Sequence, residues 1–197
     1  MSAVRIVINA TAPRGPAALP VLLESLHLNN VPMHTVTVVC PGELPQLPAA
    51  RARTDFNAGS LTGLVHAAES GPEEWPEDWV LYLHETMVAG DSFLSRLSDL
   101  AGAAAGLHCV TLSKDVHGCN AGLYSLAWLR TLGLERLRDP AAAVHIGEVA
   151  ARCDPERRRF MTAEVQDVGE FRYSEADPEV LRIRWHPELD VYEFRQA

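Results

Sequence analysis

The sequence predicts a three-layer α/β domain built on a mainly parallel central sheet. Three observations lead there. Short apolar, β-branched runs without polar alternation recur along the chain, the pattern of strands buried on both faces. Between them lie segments with leucines at helical spacing. The joints carry Pro, Gly, Asn and Asp, residues that end regular elements. Strands alternating with amphipathic helices build such a sheet and cover both of its faces.

Val4 to Ile8 is the first such run and reads as an interior strand; Asn9 to Gly15 follows as a polar, Pro/Gly-containing loop. Ala17 to Leu28 is helical, with Leu19, Leu22, Leu23 and Leu26 on one face, and Asn29-Asn30 ends it. Val36 to Cys40 is a second buried strand, closed by Pro41-Gly42. This β-α-β opening predicts a parallel pair with a right-handed crossover. Arg51 to Thr54 is a short edge strand, and Asn57 to Glu69 a helix with Leu61, Leu64, Val65 and Ala68 inward. Trp79 to Leu83 is the central strand and Phe93 to Leu100 the helix after it, with Asp91 and Ser92 as N-cap candidates. Leu107 to Leu112 is another strand. Gly122 to Leu132 reads as a helix from Leu123, Leu126, Ala127 and Leu129, and so does Ala141 to Arg152. Val180 to Trp185 and Asp190 to Phe194 alternate as late strands. With no internal repeat and no linker, residues 1–197 read as a single domain.

Composition narrows the function classes. The hydrophobic content of 47% and charged content of 22% are those of an ordinary globular domain. No apolar run approaches the about 20 residues of a membrane span, and the N-terminus enters a strand without a signal-peptide pattern. These features predict a cytoplasmic protein without a membrane span. The net charge of −9 argues against nucleic acid as a partner. The basic residues from Arg152 to Arg159 are interleaved with Asp154 and Glu156, the composition of a solvated helix face. Cys40, Cys109, Cys119 and Cys153 form no CxxC pair, so buried, idle thiols are expected rather than a zinc knuckle or redox dithiol. The GxGxxG and GxxxxGK[ST] fingerprints and the GxSxG elbow are absent.

The most informative stretch is Asp78 to Leu97, DWVLYLHETMVAGDSFLSRL. A buried strand stops abruptly at polar His84, Glu85 and Thr86, and a helix follows. In open α/β sheets ligands bind beyond the carboxyl ends of strands. The three side chains are a nitrogen, a carboxylate and a hydroxyl, all competent to ligate a divalent ion or meet a diphosphate. The bland alternative is a polar cluster that caps the next turn.

VLYLHETMVAGDSFLSRL resembles the metal-binding strand of the family 2 glycosyltransferases of GT-A fold, where a D-x-D pair holds a divalent metal on the donor diphosphate. Here His84 and Thr86 stand at the two aspartate positions and Glu85 lies between them, a degenerate form of that motif. Three further segments fit the same frame. Val4 to Gly42 is similar to the opening strand-helix-strand, whose first loop holds base and ribose, which points to Asn9 and Thr11. DFNAGSLTGLVHAAESG is similar to the segment before the metal strand, with Asn57, Gly59 and Gly71 at matching positions. NAGLYSLAWLRTLG is similar to the acceptor-side strand and helix. The resemblance covers Val4 to Gly133 and implies a GT-A-like domain that takes a nucleotide-sugar donor and an unknown acceptor. The family's Glu-Asp base motif is replaced by AAVHIGEVAARC, so His145 and Glu148 are the base candidates; an ordinary helix residue is the alternative for each.

The metal set implied is His84, Glu85 and His186, the last as a late histidine of the kind such enzymes add, with His117 and His145 as further candidates. Imidazole in place of a carboxylate favours Mn²⁺ over Mg²⁺. Asp55 and Asn57 are placed either to hydrogen-bond a base or ribose or to close a helix N-terminus. Asp115 lies in a polar loop that faces the same crevice, where it would bind an acceptor, or serves only its own turn; Cys119, in HGCNAG, is the accessible thiol, idle or, as the remote alternative, catalytic. Loss of both acidic motifs leaves a second function open, a GT-A-like scaffold that binds a ligand or partner without transfer. Glu85 is expected to face solvent at the strand end.

Overall fold

In the computed structural model the described residues are 4–10, 15–42, 49–85, 87–90, 92–112, 121–134, 138, 146–161, 165–167, 182–186 and 191–195. Seven strands form the main sheet: β1 (Val4–Asn9), β2 (Val36–Cys40), β3 (Ala50–Arg53), β4 (Trp79–His84), β6 (Cys109–Thr111), β7 (Gly122–Ser125) and β8 (Arg158–Phe160). Their spatial order is β3-β2-β1-β4-β7-β6-β8. Four of the six pairings are parallel, and only β7 runs against its neighbours. The remaining strands, β5 (Met87–Ala89), β9 (Val165–Asp167), β10 (Arg182–His186) and β11 (Val191–Arg195), form two antiparallel ladders, β5-β9 and β10-β11.

The apolar runs become strands because each is buried on both faces. Alternate residues of β1 and β4 divide between two cores. Ile6, Ile8, Leu81 and Leu83 join one core with helices α1 (Gly15–Leu28) and α3 (Phe93–Ala103). Val7, Val80 and Tyr82 join the other with α2 (Thr62–Glu69), α4 (Leu126–Leu129) and α5 (Ile146–Ala151). The three layers therefore follow from strict side-chain alternation along unbroken apolar strands. Trp79 to Leu83 is an interior strand as expected, flanked by β1 and β7.

Several elements differ from the sequence reading. Gly122 to Leu132 is not one helix: Gly122–Ser125 is a strand, followed by one helical turn. Leu123 and Tyr124 are both wholly buried, one in each core. A short run buried on both faces cannot be told from a helix by periodicity alone. Ser125 then caps the turn, its Oγ accepting from the Trp128 N–H at 3.4 Å. The Asn57 to Glu69 segment begins as a 3₁₀ turn, Gly59–Leu61, because Gly59 adopts φ +58°. The basic segment is solvated at Arg152, Arg157 and Arg159, but Arg158 to Phe160 is an edge strand rather than a helix. The strands β5, β8 and β9 have three residues each, too few to leave a periodic signal. Cys40, Cys109 and Cys153 are buried as expected; Cys119 lies outside the described residues.

Two contacts fix the sheet against its helices at opposite ends. At the amino ends of the strands, Arg5 reaches Glu77 at 2.6 Å and Thr37 at 3.2 Å and lies over the Trp75 ring. Near the carboxyl ends, α2 comes so close to β1 and β4 that any side chain at position 63 would press on its neighbours. A Cβ there would stand 3.0 Å from Val7 Cγ1 and 3.2 Å from Tyr82 Cε2.

Gly63→Ala is therefore expected to destabilise by about 1–3 kcal/mol through overpacking. In an open helix the same change gains about 1 kcal/mol. Urea denaturation of the two proteins decides the sign, and a gain in stability would mean that Val7 and Tyr82 give way freely.

On the far side of α2, His66 meets the Trp75 ring edge-on at 5.6 Å. Burial lowers its pKa below 6.5, against the opposing pull of Glu74 and Glu69. The unfolded chain thus binds this proton more readily than the folded one. The stability tied to His66 is intact above pH 6.5 and is lost as pH falls from there through the lower folded value. Between about pH 7.5 and about pH 5.5, Tm should fall less in His66→Gln than in the native chain.

Candidate functional site

The chain runs from β1 outward to β2 on one side and later returns to place β4 on β1's other side. The order of the sheet reverses at this point, and in open α/β sheets ligands bind outside the carboxyl ends of the strands at such a switch. The register brings Asn9, the last residue of β1, opposite His84, the last of β4. The Glu85 N–H then donates to the Asn9 carbonyl at 3.2 Å. Three polar residues called from the sequence, Asn9, His84 and Glu85, are thus brought together at the switch point.

Their environments differ. His84 keeps 20% of its side chain exposed, while Glu85 is fully buried. His84 Nε2 lies 3.5 Å from Glu85 Oε2. The expectation of a solvent-facing Glu85 is therefore corrected. Strand β5 follows close behind in the chain, and its Met87, Val88 and Ala89 are all buried. Met87 itself covers the strand end, its sulfur lying 3.4 Å from the His84 N–H that donates to it.

Asn9 is also fully buried, and its amide is turned to α2. Its Oδ1 accepts from the Gly63 N–H at 2.8 Å, and its Nδ2 donates to the Gly59 carbonyl at 3.3 Å. Asp55 and Asn57 are exposed beyond the end of β3. Asn57 Oδ1 accepts from the Gly59 N–H at 2.9 Å, a local turn contact that leaves the rest of the side chain facing outward. Glu148 is exposed on α5 beside Val149 and Ala150, which pack into the second core. His186 ends β10, opposite Val191 of β11. Thr11, Thr86, Asp115, His117 and His145 lie outside the described residues.

By spacing alone the imidazole and carboxylate suit a divalent ion, but Glu85 has no exposed surface with which to meet one. Two ligands about 2.1 Å from a tetrahedral ion stand about 3.4 Å apart, close to the His84–Glu85 separation of 3.5 Å. Among the described residues no third His, Cys, Asp or Glu joins them. The pair supplies two positions at most, and substrate oxygens or water would fill the rest.

One residue at this site was not singled out from the sequence. Tyr82 is wholly buried, and its hydroxyl donates to the Ser60 carbonyl. A tyrosine inside the otherwise aliphatic core of WVLYL was the available signal, because a buried phenol needs a polar partner. Burial, then the neighbouring Glu85 charge, hold its pKa well above the usual tyrosine range.

No protein-family model and no curated protein matches the chain. Solved structures do share its fold. GlyE, a glycosyltransferase of Streptococcus pneumoniae, matches 80% of this chain at TM-score 0.52 and 10% identity. A mannosyltransferase from Pyrobaculum calidifontis, solved with GDP-Man and Mn²⁺, matches 80% at TM-score 0.53 and 13% identity. A 4-diphosphocytidyl-2C-methyl-D-erythritol synthase from Anaerococcus prevotii matches 82% at TM-score 0.53 and 10% identity. The chain spans 44% of GlyE, 54% of the mannosyltransferase and 89% of the synthase. The fold is thus GT-A-like, that of nucleotide-diphospho-sugar transferases. Among the described residues no helix is long and apolar enough to cross a membrane.

Buried Glu85 is more than a surface carboxylate. Glu85→Ala should cost about 1–3 kcal/mol, as when a buried polar partner is removed, whereas a surface substitution stays within about 0.5 kcal/mol. Urea denaturation measures it, and a loss within the smaller range would return Glu85 to a peripheral role.

Proposed function

We propose that the chain binds a nucleotide-sugar donor in the crevice at the ends of β1 and β4 and transfers the sugar to an acceptor hydroxyl. The observation that carries this reading is the convergence of Asn9, His84 and Glu85 at the switch point of a GT-A-like sheet. The crevice rule puts the ligand there. The fold is shared with a mannosyltransferase solved with GDP-Man and Mn²⁺. The same fold also belongs to a synthase, so the strand-end residues, not the fold, select sugar transfer.

In this reading the diphosphate lies over the end of β4. His84 and Glu85 would hold a divalent ion there, and such an ion neutralises charge developing on a diphosphate leaving group. His84 also offers a donor to a phosphate oxygen from its partly exposed ring. Asp55 and Asn57, exposed beyond the end of β3, are the proposed partners of base and ribose. Glu148, exposed on its helix, is the proposed base that takes the acceptor's proton, in company with His145. Chemistry at this end of the sheet suits a chain read as one domain, 1–197, acting in the cytoplasm.

The burial of Glu85 favours one alternative, a scaffold of the same fold without transfer activity. A carboxylate with no exposed surface meets an incoming ion only if the strand end opens. Isothermal titration with uridine and guanosine diphosphate sugars separates the two. The transferase reading expects binding that is tighter with Mn²⁺ than with Mg²⁺, since imidazole prefers the transition metal. Tighter binding with Mg²⁺ would remove His84 from the ligand set. An absence of binding under either ion would leave the scaffold.

A further inference from the structure

The turn before α2 is held by its neighbours more firmly than a surface turn requires. Within it, Thr62 Oγ1 accepts from the Ala58 N–H at 2.9 Å and donates to the Gly59 carbonyl at 3.0 Å. Asn57 accepts from Gly59 as well. To these local bonds the sheet adds three from wholly buried side chains. Asn9 on β1 takes the Gly63 N–H and the Gly59 carbonyl, and Tyr82 on β4 takes the Ser60 carbonyl. The Gly63 close approach is what lets them reach. The outer side of the same turn carries exposed Asn57 and Gly59 and half-buried Ser60. The turn is also tied to β2 just upstream, where the Thr54 N–H donates to the Cys40 carbonyl at 3.0 Å.

We propose that Asn9 and Tyr82 are positioning residues that latch the Asn57–Gly63 turn to the ends of β1 and β4, and so fix the wall against which the nucleotide lies. The proposal rests on the nucleotide-sugar reading of the crevice. It gives Asn9 a different task from direct ligand contact. An amide with no exposed surface acts on a ligand through the turn it holds. The latch also explains the choice of side chains. Asn9 must offer a donor and an acceptor at once, to a carbonyl and an N–H four residues apart, which an amide does and an aliphatic residue of the same shape does not. Tyr82 must span from the strand to a carbonyl beyond the helix start while its ring fills the gap beside Gly63. Its depressed acidity keeps the hydroxyl a donor throughout the working pH range. A turn released from these bonds would have to be ordered by the ligand, and the apparent affinity would fall by the fraction of time it is out of place.

Hydrogen exchange on the full chain, paired with calorimetric titration of UDP, tests this. Tyr82→Phe keeps the ring and removes only the hydroxyl. Exchange at the Leu61 and Gly63 amides should rise about tenfold while Ile6 to Ile8 in β1 stay at the native rate, and the Kd for UDP should rise about fivefold, as for one lost hydrogen bond. Asn9→Asp loses the donor toward Gly59 when ionised and regains it as an O–H when protonated. Its exchange and Kd, each taken relative to the native chain at the same pH, should therefore recover between about pH 8 and about pH 5.5. A merely structural role would speed exchange through β1 and β4 alike and show no recovery. Native exchange at Leu61 and Gly63 in Tyr82→Phe, or faster exchange with an unchanged Kd, would overturn the latch. If Asn9→Asp does not fold, Tyr82→Phe decides alone. If the native chain binds neither UDP nor GDP, the donor-site reading fails by itself, and the exchange rates still decide whether the two side chains hold the turn.

Discussion

The structure turns on the close approach of α2 to the carboxyl ends of β1 and β4. A parallel sheet ends in a row of strand termini whose last N–H and C=O groups have left the ladder and need partners. Here the partners are arranged across the layer. Asn9 spends its amide on the backbone of the α2 turn, its carbonyl receives the Glu85 N–H, and the next residue's N–H reaches Val39 of β2 at 2.9 Å. Asn9 and Ala10 together therefore tie three strands and a helix at the point where the sheet order reverses. A side chain at position 63 would press on Val7 and Tyr82 and touch the Asn9 amide, the groups that join the helix to the sheet here.

The two ends of the same sheet solve their polar problem differently. At the amino ends, Arg5 is matched by Glu77, Thr37 and the face of Trp75, a nearly enclosed set of complementary groups. A buried ion pair of this kind is weak evidence for stability but costly to break on one side only, so this end is suited to holding the fold rather than to exchanging ligands. At the carboxyl ends, polar groups meet the surface by degrees. Asn9 is sealed, Glu85 is sealed beside it, and His84 remains partly open. That gradient is what a binding site needs, because a rigid inner layer fixes the geometry of an outer one that meets solvent.

The sequence made the skeleton of this fold legible and hid the joints. Val4 to Ile8, Val36 to Cys40 and Trp79 to Leu83 could be read as interior strands because β-branched and aromatic runs without alternation have few other uses in a short segment. The same burial misled at Gly122 to Ser125, where Leu123 and Tyr124 serve opposite cores and imitate a helix face; the resemblance of NAGLYSLAWLRTLG to a strand followed by a helix described that segment better than its periodicity did. At the candidate site, the abrupt change from Leu83 to His84 announced the strand end correctly. Its inner layer was not legible. Whether a strand-end carboxylate faces water depends on where the chain goes next, and β5 is a three-residue strand with no pattern of its own. The bonds of Asn9 and Tyr82 run 50 residues or more and 22 residues along the chain, and no local pattern encodes contacts of that range.

The buried position of Glu85 also changes what the degenerate motif means physically. An acidic residue between His84 and Thr86 looks from the sequence like the survivor of a metal-binding pair, open to the crevice. In the structure the carboxylate stands behind the imidazole, 3.5 Å away, with the Tyr82 phenol on the same strand feeling its charge. A carboxylate so placed is a neighbour of the imidazole inside the protein rather than a group open to the crevice. Of the two side chains described at this strand end, His84 keeps part of its surface open to solvent, while the Glu85 carboxylate beside it stays inside the protein.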